Sequence, residues 1–147
     1  MADFTALSLS SVPMRANAFI STCEESFPIG SPLTSVFAGD PSNCERAEAD
    51  SLVKANVIGF ALFTGTLGRR VRVKQFGVLT LTAAQWAVFV TSDAGALVPG
   101  LAYYLSQSTP GAIRKTVPGT GVVAQVGIAL STTSLLITPG PAVDLGS

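Results

Sequence analysis

The sequence predicts an all-β fold, a sandwich or barrel-like roll of roughly seven to nine strands with one short helix and an extended N-terminal arm. Three observations carry that prediction. Turn formers are abundant, with 14 Gly and 9 Pro in 147 residues, and strand-favouring Val and Thr are plentiful beside them. Short apolar runs alternate with period two and are separated by Gly- and Pro-bearing turns. Only one segment, 82–90, carries a helix start signal.

The chain divides on pattern into an N-terminal arm or edge-strand region (1–46), a β-domain (47–140) and a C-terminal tail (141–147). In the first region "FTALSLS" (4–10) and "ANAFIST" (16–22) alternate imperfectly as weak strands. Pro28, Pro32 and Pro41, with Gly30 and Gly39, predict loops over 27–44, and "ERAEAD" (45–50) predicts one helical turn. Beyond residue 50 the pattern becomes regular. "LVKANVIGFALF" (52–63) predicts a strand with Ile58, Phe60 and Leu62 on one face and Val57, Gly59, Ala61 and Phe63 on the other, covered on both sides. After a turn at "GTLG" (65–68), "RRVRVKQ" (69–75) sets Arg70, Arg72 and Lys74 against Val71 and Val73, and "VLTLT" (78–82) follows Gly77.

Thr82 opens the helix. In "TAAQ" the Thr hydroxyl and the Gln85 amide each satisfy a free backbone N–H of the first turn, and Trp86 and Phe89 share the buried face. Val98-Pro99-Gly100 predicts a turn in which Pro presets φ and Gly supplies a positive one. The strand "LAYYLS" (101–106) then sends Tyr103 and Tyr104 to opposite faces, one to the core and one to an interface. "TPGAIRKTVPG" (109–119) is turn, short strand, turn; "VVAQVGIAL" (122–130) and "SLLIT" (134–138) complete the domain, leaving "PGPAVDLGS" as a loose tail. A G-x-A-L echo at Gly59 and Gly127, each followed by a Thr (Thr64, Thr132), predicts two strands of one design in related places.

Composition narrows the function classes. Charged residues make up 12% of the chain against 48% apolar, about half the usual charged fraction of roughly 25%. So little charge predicts surface covered by a partner, and hence a member of an assembly. Net charge is zero but segregated. Residues 1–50 hold seven acids against two bases (−5), and residues 51–147 seven bases against two acids (+5). That split predicts mutual docking within or between chains and argues against nucleic acid as the main partner.

Residues 116–143 carry no charge, but Pro118, Gly119, Gly121, Pro139, Gly140 and Pro141 punctuate them as strands and turns, so no membrane span is expected. The N-terminus lacks a basic n-region, which predicts synthesis and retention in the cytosol. Histidine is absent, which removes the usual general base and the Ser-His-Asp arrangement. Asp93 and Asp144 fall in predicted loop and tail, and no nucleotide or calcium motif is present. The expectation is therefore no enzyme: no catalytic, cofactor or metal residues. Cys23 and Cys44, two thiols without a histidine, make a poor zinc site and are expected to be free in a reducing compartment. The candidate contact residues are the stripe Arg70, Arg72 and Lys74, which would meet an acidic surface of the first third or of a neighbour, together with Tyr104.

Taken in order, "AEADSLVKANVIGFAL", "VRVKQFGVLTLTAAQW", "LVPGLAYYLS", "TPGAI" and "VVAQVGIALSTTSLLI" resemble a β-domain of tailed-bacteriophage structural proteins, over residues 47–138. The resemblance implies a non-enzymatic virion protein made in the host cytoplasm. The small size and the lack of a shaft fit a capsid decoration (cement) protein on the capsid surface, a homotrimer that binds the major capsid protein and stabilises the shell. The alternative is a tail-fibre or baseplate-associated module binding a host glycan, with a non-viral carbohydrate-binding module third.

Overall fold

The computed structural model describes residues 18–37, 40–90 and 97–146. Among the described residues the fold is all-β with one short helix. The first half contains β1 (Ala18–Cys23), β2 (Pro32–Phe37), β3 (Asp40–Arg46), β4 (Val57–Ala61) and β5 (Arg70–Lys74), which close into a barrel in the order β1-β3-β2-β4-β5. The second half contains β6 (Gly77–Thr80), helix α1 (Ala83–Phe89), β7 (Ala102–Leu105), β8 (Ile113–Arg114), β10 (Gln125–Ala129) and β11 (Ser134–Ile137), and its strands form an open sheet in the order β6-β11-β10-β7-β8. A two-stranded ribbon joins β9 (Val122–Val123) to β12 (Val143–Asp144).

The two sheets share one plan. Substituting β6, β11, β10, β7 and β8 for β1, β5, β4, β2 and β3 converts one strand order into the other. The match extends to single residues. Leu33 lies opposite Gly59, and the register then skips Ile58 to pair Thr34 with Val57. Tyr103 lies opposite Gly127, and the register skips Val126 to pair Tyr104 with Gln125. On the other flank, Phe60 and Ala61 pair with Lys74 and Val73 as Ile128 and Ala129 pair with Leu136 and Leu135.

The turns match too. The Ser31 N–H donates to the Pro28 carbonyl and the Gly30 N–H to the Ala61 carbonyl. Leu101 donates likewise to Val98, and Gly100 to Ala129. Gly30 and Gly100 have φ of 90° and 86°, the conformation that the third position of a type II turn demands. The G-x-A-L echo is thus the visible trace of a repeated five-strand unit. Both of its glycines are required by crowding. A Cβ at Gly59 would lie 2.5 Å from the Lys74 carbonyl oxygen, and one at Gly127 would lie 2.6 Å from that of Leu136.

The units differ at closure. In the barrel, β1 runs straight into a parallel pairing with β3, Cys23 opposite Cys44. In the second unit the matching contact is an isolated parallel bridge between Val90 and Ile113, and α1 fills the connection from β6 to Val90. Thr82 and Gln85 form the expected capping box. Trp86 is fully buried, its Nε1–H donating to the Thr133 carbonyl at 2.8 Å, and its ring packs on Phe89 at 5.3 Å between centroids.

Two cores follow. Cys23, Phe27, Leu33, Cys44, Ala61, Val71 and Val73 fill the barrel. The larger core lies in the second unit around Trp86, Phe89, Tyr103, Leu105 and Leu135, and it recruits Ala47, Ala49, Ala55 and Phe60 from the first. Backbone bonds from Ala49 N–H to the Ser106 carbonyl and from Gly111 N–H to the Ala47 carbonyl tie the halves together.

Several expectations are corrected. Residues 18–46 are not an arm: they supply three of the five barrel strands, while 1–17, including the strand expected at 4–10, lie outside the described residues. The loops expected over 27–44 contain β2 and most of β3. Pro32 is tolerated as the first residue of its strand, and Pro41 lies where the β2–β3 register is irregular. The helical turn expected at 45–50 is the end of β3 followed by a turn. The strand expected over 52–63 is confined to 57–61. Phe60 and Leu62 share a face opposite Ala61 as expected, but the bulge at Ile58 exchanges the faces of the two residues before Gly59, so that Ile58 packs with Ala61 in the barrel and Val57 joins Phe60 and Leu62 on the larger core. Phe63 is exposed. The tail contributes β12, and the described residues hold twelve strands rather than seven to nine, because three of them are only two residues long.

Candidate interaction surface

On β5, Val71 and Val73 point into the barrel while Arg70 and Arg72 are exposed and Lys74 is half-buried. This alternation is what the sequence predicted for the stripe. What the sequence did not show is its neighbour. Antiparallel pairing with β1 puts Thr22 beside Arg70, Ile20 beside Arg72 and Ala18 beside Lys74. Ile20, 53% exposed, and Phe63, 60% exposed, line a cleft of about 320 Å³ with Arg70, Val71 and Arg72. A smaller hollow of about 220 Å³ lies among Ala18, Phe19, Ile20 and Arg72. Ile20 and Arg72 border both. The surface is a basic row with apolar ground beside it. Only a residue-by-residue register between strands 50 positions apart places Ile20 there, so local patterning could not find it.

Among the described residues none of the three basic side chains has an ion-pair partner. A salt bridge among the described residues joins Glu25 to Arg46 at 3.0 Å. It is bidentate, with Arg46 Nε and Nη2 each donating to a Glu25 oxygen at 3.0 Å, and the Arg46 backbone N–H donates to Glu25 Oε2 at 2.7 Å. Burial pushes the Glu25 carboxyl up, but the Arg46 hydrogen bonds and the charges of Arg46 and Lys54 outweigh it and hold the group below its ordinary value. Glu24 instead accepts from Asn43 Nδ2. Asp40 is held below its ordinary range by hydrogen bonds from the Ser42 hydroxyl and backbone N–H. Six of the seven acids of the first third are described, and none seats on the stripe; docking of the first third on it through those six does not occur within the chain.

Tyr103 and Tyr104 separate as their alternation requires. Tyr103 is buried, and its hydroxyl oxygen accepts from the Val98 N–H at 2.8 Å, fixing the turn before its own strand. Tyr104 is half-buried on the opposite face, between Gln125 and Arg114 across the ladder. It therefore belongs to the second unit and does not join the stripe on β5. The buried Nε of Arg114 beside it has no hydrogen-bond partner among the described residues.

A further cavity of about 480 Å³ is lined by Phe19, Ser35, Pro41, Asn56, Val57, Ile58, Gln75, Phe76 and Pro139. Its described lining residues carry no ionisable side chain, and they offer shape and apolar area. Cys23 and Cys44 are free thiols, both buried. Among the described residues no cluster of His, Cys, Asp or Glu could hold a metal ion, and no helix is long and apolar enough to cross a membrane. No protein-family model matches the chain, and a search of curated proteins found no match either.

Proposed function

We propose that this chain is a non-enzymatic structural virion protein that binds and stabilises an assembled phage capsid as a decoration protein. In this reading it is made in the host cytoplasm, associates as a homotrimer and seats on the major capsid protein. The observation that carries the proposal is the unpaired stripe Arg70, Arg72 and Lys74 beside exposed Ile20 and Phe63. Solvated charge next to uncovered apolar surface is what a protein partner with acidic groups would cover, the charges setting orientation and the apolar ground supplying burial at about 25 cal/mol per Å². The ordered motifs over residues 47–138 resemble phage structural β-domains and supply the virion context. Tyr104, on the second unit, is the candidate for a separate contact.

The test is cosedimentation with purified capsid shells across a salt series. The triple change Arg70→Glu, Arg72→Glu, Lys74→Glu alters exposed or half-exposed positions and should leave stability within about 0.5 kcal/mol. It should weaken shell binding at low salt, with the deficit shrinking towards 1 M, where the Debye length is about 3 Å. Shell binding equal to wild type at every salt concentration would remove the stripe from the interface. Copy number on the particle separates this reading from its alternative: a number matching the head lattice supports decoration, and one matching tail symmetry supports the tail-fibre or baseplate module.

A further inference from the structure

The two cysteines lie at the seam that closes the barrel. β1 and β3 are its parallel pair, joined in register only at Thr22 opposite Asn43 and Cys23 opposite Cys44. Paired residues of a parallel ladder send their side chains the same way, here into the barrel among Phe27, Leu33 and Val73. Neighbouring strands lie about 4.8 Å apart, inside the Cα separation of about 4.4–6.8 Å that a disulfide spans.

We propose that Cys23 and Cys44 form a latent cross-strand disulfide site that staples β1 to β3 when the protein meets an oxidising small-molecule disulfide. Burial raises both thiols, Cys44 to about 11, where Cys23 and Glu24 push the same way and only Ser21 opposes, so thiolate is scarce while the barrel is closed. Reaction proceeds when the two-residue seam opens. With oxidised glutathione, one cysteine thiolate attacks the glutathione disulfide, forming a mixed disulfide and expelling one glutathione thiolate. The second cysteine thiolate then attacks the protein sulfur and expels the other. One S–S bond forms in the protein and one breaks in glutathione; two electrons pass to glutathione, and the two thiol protons end on its thiols. The staple encloses β2, and it restricts the unfolded chain as well as the native seam. In the second unit the equivalent bridge pairs Val90 with Ile113, so this chemistry is confined to the barrel. The site is independent of what the protein binds.

The experiment uses the full wild-type chain, incubated with oxidised or reduced glutathione in graded urea below the unfolding midpoint. Samples are then alkylated in denaturant and weighed intact. The oxidised sample should be a monomer about 2 Da lighter than the reduced chain, with neither thiol alkylated. Its rate of formation should rise with urea. Its Tm should exceed that of the reduced protein by about 6–12 °C, and dithiothreitol should abolish the gain. Cys44→Ser should stop at a single glutathione adduct with no gain in Tm; should that variant not fold, the wild-type mass still decides. Two alkylatable thiols, arrest of the wild type at glutathione adducts, or cross-linking only between chains would each overturn the proposal.

Discussion

The barrel and the open sheet repeat one strand plan, yet they fill and close it differently. The barrel closes through hydrogen bonds: β1 meets β3, and seven mostly small or medium side chains fill the interior. The second unit places α1 where that closure would continue, and Trp86, Phe89 and Tyr103 occupy the wider space. A backbone plan can therefore be completed by pairing strands or by an amphipathic turn of helix, and the choice determines how large the core residues must be. Where the helix enters, the core also takes Phe60 and three alanines from the first unit, so the open sheet depends on its neighbour.

Removing the helix's anchor should have the largest effect. Trp86→Ala is expected to cost about 3–5 kcal/mol in denaturant unfolding, with the loss of its bond to Thr133 included. A cost below about 1 kcal/mol would mean that the ring does not prop the second unit.

The paired glycines compare the units directly. Gly59→Ala and Gly127→Ala would each drive a methyl group into a facing carbonyl oxygen, at 2.5 and 2.6 Å. Overpacking of this kind costs about 1–3 kcal/mol. The closed barrel has no free edge through which to relax, whereas the sheet around β10 ends at β6 and β8, so Gly59→Ala should fall at the upper end and Gly127→Ala lower. Equal costs would show that closure does not stiffen the strand.

How much of this was legible in the sequence depends on the range of the interaction. The Arg70/Val71/Arg72/Val73 alternation, the Thr82–Gln85 box, the Pro99-Gly100 turn and the opposed tyrosines are set by neighbours within four residues, and all were readable. The echo was readable as a motif but not as a repeated unit, because the equivalence lies in hydrogen-bond register. Pro32 and Pro41 concealed two strands, since a proline that opens a strand or sits at an irregular pairing looks locally like a loop. One skipped residue, Ile58, exchanged the faces of Val57 and Ile58 at the start of β4. Of the candidate surface the basic row was visible, whereas Ile20 joins it only through pairing of β1 with β5.

Two smaller effects sharpen the contrast between the units. Thr82→Ala should cost about 1 kcal/mol, and hydrogen exchange should locate the loss in α1 and β6 rather than in the barrel. The Glu25–Arg46 pair belongs to the barrel side. Its lowered carboxyl contributes stability that is complete above the unfolded value of 4.5 and is lost as pH falls through the lower folded value. Arg46→Ala should cost about 1 kcal/mol at pH 7, and the difference from wild type should vanish in strong acid. A difference that persists there would assign the effect to packing of the Arg46 stem.

The tandem order of the units also bears on biosynthesis. Every strand of the barrel is encoded before residue 75, and the second sheet begins only at Gly77. At translation rates of about 5–20 residues per second, the barrel strands leave the ribosome several seconds before β11 exists. During that interval Phe60, which has no place inside the barrel, waits for the second core to form. A nascent chain stalled after β5 should thus display a closed barrel with one sticky phenylalanine face, a substrate for a chaperone that the finished protein no longer presents.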